Sequence, residues 1–262
     1  MSVKLWQMKT IRLAIAYDGT RYHGWQIQPN GISIQQVIQD RIAVITGENV
    51  VVLSAGRTDA GVHALRQIAA FRTSSRHAPE VFQRALNATL PSDIRILDAE
   101  CAADSFHPRF DATGKVYAYV IANTPELSPF AVRYAWKITH PLNSDEMRKA
   151  GCFLEGKHDF SSFRGAGCGA RTTDRTVASI NVSKHSGMDF LGLRLEGTFL
   201  VIRVTADAFL RHMVRNIVGT LVEVGIDKRK ADAVPALLRS KNRSEAGPTA
   251  PASGLFLESV SY

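Results

Sequence analysis

The stretch VVLSAGRTDAGVHALRQIAAFRT (51–73) places a short, glycine-hinged loop between two apolar segments rich in β-branched residues. Both segments have the composition of strands, and a loop this short predicts that the strands are neighbours in one sheet. Asp59 lies at the tip of the loop, between Gly56 and Gly61. Small residues beside the acid leave room for another chain to approach it closely.

The surrounding sequence extends this pattern to a β-α-β-β-α-β order. Ser33 and Gln36 have the spacing of a capping box, so a helix is expected to begin at Ser33 and to end at Gly47. A second helix is expected from Pro79 to Leu90, with proline in its favoured first turn. Strands are predicted at 11–17, 51–55, 66–73 and 94–101.

The second half reads as a looser copy of the first. Its predicted helices are 144–156, ended by Gly156, and a long one from Asp207 to Val224. A glycine- and arginine-rich stretch, 161–176, is expected to be a mobile basic loop. Strands are predicted at 115–123, 176–184, 191–196, 199–206 and 255–262.

The two halves together predict an α+β fold. We expect two ferredoxin-like halves of the βαββαβ type, which form one extended mixed, largely antiparallel sheet flanked by helices. The N-terminal half spans 1–104 and carries the loop with Asp59 at its tip. The C-terminal half spans 105–262 and is expected to complete a candidate active-site cleft.

Composition narrows the class of partner. The net charge of +8 among 262 residues favours a polyanion, nucleic acid before membrane, although a basic protein without such a partner stays open. Three scattered cysteines without a CxxC pair suggest neither a zinc site nor disulfides, and they fit a reduced cytoplasm. The N-terminus lacks the apolar region of a signal peptide, and no apolar run approaches the ~18 residues that cross a bilayer.

Asp59 has two interpretations on residue type alone. It could be a turn acid paired with Arg57, or it could be a functional carboxylate. No second acid lies near it in the sequence, which disfavours two-metal nucleases and glycosidases of the usual kind, because both need several carboxylates. A lone carboxylate can still act as a nucleophile or as a base.

Six motifs in sequence order cover nearly the whole chain. They are YDGTRYHGWQ (17–26), GRTDAGVHA (56–64), SFHPRFDATGKVYAYVI (105–121), DFSSFR (159–164), FLRHMVRNIVG (209–219) and TAPASGLFL (249–257). Together they resemble the motifs of the TruA-type tRNA pseudouridine synthases. This chain departs from the family in one respect, since it has Val116 and Ala118 where family members often carry a basic residue beside the tyrosine at 117.

The resemblance implies an activity and a substrate. Enzymes of this family isomerise uridine to pseudouridine at positions 38, 39 and 40 in the anticodon stem-loop of tRNA. They use no cofactor and no metal. They work as homodimers in which one tRNA contacts both subunits, and no membrane is implied.

The resemblance also implies roles for individual residues. Asp59 matches the catalytic aspartate, and Arg57 beside it would contact RNA. Tyr117 would stack on the flipped base, Arg215 would pair with the aspartate, and Leu255 would form the apolar floor of the pocket. The expected RNA cleft contains loop arginines and one on the same helix face as Arg215: Arg21, Arg109, Arg164, Arg171, Arg175 and Arg211.

Three alternatives remain at this stage. Ferredoxin-like halves also build non-catalytic RNA-binding modules, but the K/R-G-F/Y-G/A-F pattern of those modules is absent from the sequence. A metal-dependent nuclease is disfavoured by the missing carboxylate cluster. A pseudouridine synthase with different target uridines would share every motif named above.

Overall fold

The computed structural model describes residues 8–262. These residues contain ten strands in a mixed, largely antiparallel arrangement with five α-helices, which confirms the predicted α+β class. The first seven residues, on which the expectation about the N-terminus partly depends, lie outside the described residues.

The chain divides into two compact units. The first runs to Thr113 and includes Leu257–Tyr262, and the second is Gly114–Phe256. The division into functional halves at 104 and 105 stays a prediction.

The first unit has the predicted β-α-β-β-α-β order. Its central strand, β1, pairs antiparallel with β3 on one side and β4 on the other, in registers such as Ile11 opposite Phe71 and Leu13 opposite Ala99. The elements are β1 (Lys9–Tyr17), α1 (Ile34–Thr46), β2 (Leu53–Ser54), β3 (His63–Thr73), α2 (Pro79–Thr89) and β4 (Ile94–Ala102).

Helix α1 shows why these residues fold locally as predicted. The Ser33 hydroxyl accepts a hydrogen bond from the Gln36 N–H at 3.2 Å, which satisfies one of the free donors at the start of the helix. Gly47 ends the helix at a φ of 74°, a left-handed conformation that glycine adopts at low cost. The apolar face buried by the helix consists of Ile34, Ile38 and Ile42.

The second unit has a sheet with the order β5-β9-β8-β7, antiparallel throughout, and β6 adds to β5 in parallel. The last strand, β10, contributes its first two residues to this unit, and the rest of it lies beside β3 in the first unit. The elements are β5 (Gly114–Ala122), β6 (Trp136–Lys137), α3 (Ser144–Cys152), β7 (Gly156–Asp159), β8 (Asp174–Phe190), β9 (Leu193–Ala206), α4 (Met213–Gly225), α5 (Val234–Ser240) and β10 (Leu255–Ser261).

The long helix begins later than the sequence pattern predicted. Helix α4 starts at Met213, because His212 adopts a left-handed conformation with a φ of 61° and the Arg211 carbonyl accepts a hydrogen bond from the Gly165 N–H at 2.8 Å. The Asp207 carboxylate accepts from the Thr176 N–H at 3.1 Å instead of starting a helix. Arg211 therefore precedes α4, and the prediction that it lies on the helix face of Arg215 was wrong.

The other predicted helix of this half is shorter than expected. Helix α3 ends at Cys152, and Gly156, with a φ of 97°, begins strand β7 rather than ending the helix. The intervening Glu155 turns back to the sheet, where its carboxylate accepts from the Ile180 N–H at 2.8 Å.

Two strand predictions also needed correction. Only Leu53–Ser54 of the segment 51–55 is strand, whereas 191–196 and 199–206 merge into β9. Leu191 and Gly192 form the hairpin turn before β9, with φ values of 52° and 78°. Strands β6 and β7 and helix α5 were not predicted.

Candidate active site

The loop that carries Asp59 is tied to the sheet at its base. The Gly56 carbonyl accepts hydrogen bonds from the Ser54 hydroxyl at 3.2 Å and from the Gln67 amide at 2.7 Å, and these donors belong to β2 and β3. At the other end, the Val62 N–H donates to the Asp59 carbonyl at 3.1 Å and closes a turn. We call residues 56–62 the Asp59 loop.

A second segment, Tyr17 to Gln26, holds the Asp59 loop from the side. The Trp25 N–H donates to the Thr58 carbonyl at 3.0 Å, and the Gly61 N–H donates to the Tyr22 carbonyl at 3.3 Å. Beneath the loop, the Tyr17 and Thr58 hydroxyls form a buried hydrogen bond of 2.8 Å. Two motifs that are about 40 residues apart in the sequence thus form one structural element.

Burial changes the pKa of Tyr17, which lies beneath the Asp59 loop. Desolvation raises the pKa of Tyr17 to about 12, although the hydrogen bonds from Thr58 and Gln67 act in the opposite direction. Tyr17 therefore keeps its proton, and with it the neutral hydrogen bond to Thr58, to a higher pH than an exposed tyrosine would.

Gly24 is where the two segments approach most closely. Its φ is 87°, and a Cβ atom at this position would lie 2.5 Å from the Thr58 carbonyl oxygen and 3.0 Å from the Asp59 carbonyl carbon. Only glycine allows this contact, because any side chain would push the loop away.

The loop presents its residues alternately to the interior and to solvent. Thr58 is buried with 6 % of its surface accessible, Asp59 is partly exposed, and Arg57 is exposed. A buried threonine next to a partly exposed carboxylate fixes the backbone and leaves the acid accessible.

His63, for which the sequence suggested no role, supports the same element. It is 1 % exposed, and its Nδ1 lies 3.1 Å from the Gly19 N–H and 3.0 Å from an oxygen of the Asp18 carboxylate. Nearby, Arg21 donates from Nε to Asp93 at 2.9 Å, and Asp93 also accepts from the Tyr22 hydroxyl at 2.6 Å. Arg21, which was predicted to contact RNA, is thus partly engaged in holding this segment.

Of the remaining predicted site residues, Arg109 belongs to the first unit and the others belong to the second. Tyr117 lies on β5 opposite Val204, is 7 % exposed, and meets the Phe209 ring edge to face with the centroids 5.0 Å apart. This contact restricts the orientation of the tyrosine ring.

Arg215 lies in the first turn of α4 and is half-buried. Its Nε donates to the Ala250 carbonyl at 2.6 Å, and the Ala250 N–H donates to the Arg215 carbonyl at 3.1 Å. This reciprocal pair joins the helix to the motif TAPASGLFL. Within that motif, the Pro251 carbonyl accepts from the Tyr119 hydroxyl at 2.8 Å, and Leu255 is buried with 5 % exposure.

Asn216 joins three motifs, and sequence reasoning missed it. It is fully buried, its Nδ2 donates to the Phe163 carbonyl at 2.8 Å, and its Oδ1 accepts from the Thr249 hydroxyl at 2.7 Å and from Arg243 at 3.0 Å. The motifs at 159–164, 209–219 and 249–257 therefore meet at one side chain. A lone asparagine beside Arg215 gives no such signal in the sequence.

Three of the predicted RNA-cleft arginines of this unit donate hydrogen bonds to backbone carbonyls of the segment 166–172. Arg164 donates to the Cys168 carbonyl, Arg175 to the Thr172 carbonyl at 3.2 Å, and Arg211 to the Ala166 carbonyl at 3.0 Å. Each guanidinium carries five N–H donors, so these bonds leave others for a ligand. The exposed arginines of the predicted cleft set are Arg21, Arg109, Arg171 and Arg211.

Neither a metal cluster nor a membrane-spanning helix occurs in the described part of the chain. Between residues 8 and 262, no cluster of three or more His, Cys, Asp or Glu side chains is placed to hold a metal ion. No helix in the same range is long and apolar enough to cross a bilayer.

Comparison with known proteins agrees with the motifs. A family profile described as tRNA pseudouridine synthase matches residues 13–111 and 153–262. Proteins named tRNA pseudouridine synthase A from Geotalea uraniireducens and Thermoanaerobacter sp. (strain X514) are 46 % and 43 % identical to this chain over 255 residues, covering 97 % of it and all of each relative. The protein of that name from Myxococcus xanthus is 44 % identical, covering 97 % of this chain and 92 % of the relative.

An RNA-modifying isomerase is the class that these findings define. The chain belongs to the tRNA pseudouridine synthase family, whose members isomerise uridine in tRNA.

Proposed function

We propose that this enzyme acts on uridines 38, 39 and 40 of the tRNA anticodon stem-loop, with Asp59 as the nucleophile or base. The observation that carries the proposal is the Asp59 loop. A partly exposed carboxylate lies on a short loop that is hydrogen-bonded to β2, to β3 and to the segment 17–26. A reactive group held in this way loses little entropy when the substrate binds.

The reaction requires little beyond one carboxylate. The C1′–N1 bond breaks and a C1′–C5 bond forms, C5 gives up its proton and N1 takes one up, so that nothing is gained or lost overall. Asp59 could attack C1′, add to C6, or remove the C2′ proton to give a glycal. Each of these paths needs the uridine to leave the helix first.

The other residues that the family motifs single out also have roles in the proposal. Tyr117 stacks on the extruded base above the floor formed by Leu255, and Arg215 pairs with Asp59 and orients it. Arg57, exposed beside the acid, contacts the RNA backbone. Support for Arg215 comes from its Nε–Ala250 bond, which holds the guanidinium of this half-buried residue in place at the start of α4.

The assembly belongs to the same proposal. The enzyme works as a homodimer in which one tRNA contacts both subunits, and it acts in the cytoplasm. The net charge of +8 per chain supports binding of an extended polyanion by two subunits together. Sedimentation of the enzyme alone and with tRNA tests the stoichiometry, and one tRNA per monomer would contradict it.

Pseudouridine mapping on unmodified tRNA transcripts, with no added metal or cofactor, tests the proposed specificity. We expect new pseudouridine at positions 38, 39 and 40 wherever the transcript has uridine there. Pseudouridine at other positions would keep the enzyme class and refute the anticodon stem-loop.

A further inference from the structure

We propose that Phe110 is a stacking site for a tRNA nucleobase outside the catalytic pocket, with His107 and Arg109 as its supports. We call these three residues the Phe110 platform. The inference deepens the function proposed above, since it names a further contact to the same substrate.

The first observation is the exposure of Phe110. It is 75 % exposed, whereas Phe71 and Phe82 in the same unit are 2 % and 0 % exposed. Exposing a large aromatic ring forgoes the free energy that burial would give. The exposed face of such a ring can stack on a nucleobase, provided that the backbone holds the ring in place.

The second observation is the tight hydrogen bonding of the turn. The N–H groups of Phe110 and Asp111 donate to the His107 carbonyl at 3.2 and 3.1 Å, and the His107 N–H donates to the Asp111 carboxylate at 2.9 Å. The His107 Nδ1 also accepts from the N–H groups of Arg109 and Phe110 at 3.1 and 3.3 Å.

The C-terminus holds the same turn from outside. The Tyr262 hydroxyl donates to the Pro108 carbonyl at 2.7 Å, and its ring packs against Phe106 with the centroids 5.2 Å apart. The Phe110 ring is thus presented on a fixed backbone, and stacking on it costs little conformational entropy.

The third observation is the geometry of the ring's neighbours. The His107 ring lies against Phe110 with the centroids 4.2 Å apart and a tilt of 33°. The Arg109 guanidinium carbon is 5.7 Å from the Phe110 centroid, at the margin of cation–π distance. Because the residue is still 75 % exposed, these neighbours support the ring without covering it.

The chemistry of the platform favours a nucleobase over a protein partner. Every base offers a π face, and stacking on an aromatic side chain is tolerant of sequence. Arg109 beside the ring matches the phosphate next to a stacked base. An enzyme that extrudes a uridine also leaves neighbouring bases unstacked, and these need a new stacking partner.

Variants at position 110 separate stacking from general apolar contact. We expect Phe110→Ala to weaken the binding of an unmodified tRNA transcript by roughly five- to a hundredfold, the range for losing one base–aromatic stack. Phe110→Tyr and Phe110→Trp should restore affinity and Phe110→Leu should not. Val44→Ala, which trims a 74 % exposed side chain in the same unit, is the matched control and should bind like the parent enzyme.

A stacking contact should also have a distinct effect on the kinetic constants and on the salt dependence of tRNA binding. Phe110→Ala should raise KM for tRNA and leave kcat and the salt dependence of binding unchanged, because no charge is lost. Loss of activity in an Asp59 variant that still binds tRNA concerns the proposed catalytic role and leaves this inference standing.

Three outcomes would refute the proposal that a nucleobase stacks on Phe110. The first is tRNA affinity unchanged in Phe110→Ala. The second is rescue by Phe110→Leu as complete as by Phe110→Trp, which would mean apolar contact without stacking. The third is a change in self-association, measured by sedimentation without tRNA, which would assign Phe110 to a protein interface.

Discussion

At the scale of single residues, the position of the Asp59 backbone depends on a glycine, Gly24, that has no side chain to push the Asp59 loop away. Gly24 and Gly47 both have a positive φ, 87° and 74°, so an alanine at either position would strain the backbone in the same way. They differ in their surroundings, because a Cβ at Gly24 would collide with the Asp59 loop and a Cβ at Gly47 would meet no atom within 4 Å.

This difference predicts a separation of stability from activity. Gly47→Ala should lower the free energy of unfolding by about 1 to 2 kcal/mol and leave the rate of pseudouridine formation unchanged. Gly24→Ala should lower both, with at least about a tenfold loss of rate, because a displacement of about 1 Å at a reacting group is costly. Urea unfolding and initial rates measure the two effects, and equal rates in both variants would refute the role of Gly24.

The buried Tyr17–Thr58 hydrogen bond gives a second prediction at this scale. Tyr17→Phe leaves the Thr58 hydroxyl buried without its partner, so the free energy of unfolding should fall by about 1 to 2 kcal/mol. Adding Thr58→Val removes the stranded hydroxyl and should recover part of the loss. Urea unfolding of the single and double variants measures the coupling, and strictly additive losses would contradict the hydrogen bond.

The raised pKa of Tyr17 adds a pH dependence with a defined sign. The unfolded tyrosine ionises near pH 10 and the folded one near 12, so its stabilising contribution is complete below pH 10 and is lost as pH rises towards 12. The free energy of unfolding should fall by up to about 1.4 kcal/mol per pH unit from this group in that window. Tyr17→Phe should show a shallower fall, and an equal slope would contradict the assignment.

At the scale of elements, local signals in the sequence located most helices and strands, and long-range contacts set the boundaries that were missed. Helix α1 was predicted to the residue because Ser33 and Gly47 are themselves its caps. Helix α4 was not, because its start is set by the Arg211 carbonyl bonding to Gly165, which is 46 residues earlier. The spacing of apolar residues along the chain cannot indicate a contact between residues so far apart in the sequence.

The cap of α3 allows an element-scale prediction. The exposed Asn143 side chain accepts from the N–H groups of Asp145 and Glu146, both at 3.1 Å. Asn143→Ala should cost about 1 kcal/mol of unfolding free energy, since both donors lose their partner. Asn143→Asp keeps an acceptor and a favourable charge at the helix N-terminus, so it should match the parent in thermal unfolding. A loss in both variants would contradict the cap.

At the scale of the whole molecule, motifs predicted the family and the candidate residues, whereas the supporting contacts became visible only in the fold. Asp59 was identifiable because its loop has a distinctive motif. Asn216 and His63 were not, because the side-chain partners of Asn216 are 27 to 53 residues away and those of His63, Gly19 and Asp18, are 44 and 45 residues away. A residue whose role is to join distant segments leaves no local pattern.

The excess of positive charge predicts how the whole enzyme binds tRNA. Affinity should fall linearly on a log–log plot against salt, because each neutralised phosphate releases counterions. Arg171→Ala, at an exposed position of the predicted cleft, should reduce the slope by about one unit. Arg239→Ala removes the same charge from an exposed site on α5 outside the predicted cleft set, and its slope should match the parent. A salt-independent affinity would contradict the electrostatic account.

The most direct test of the central claim is a single-turnover assay of Asp59→Asn on an unmodified tRNA transcript, with tRNA affinity measured in parallel. The substitution keeps the size of the side chain and removes its ability to act as a nucleophile or base. If Asp59 carries the reaction, this variant should form no pseudouridine above background, and its tRNA affinity should stay within a few-fold of the parent, since phosphate contacts dominate binding. Pseudouridine formation at the parental rate would show that another residue carries the reaction.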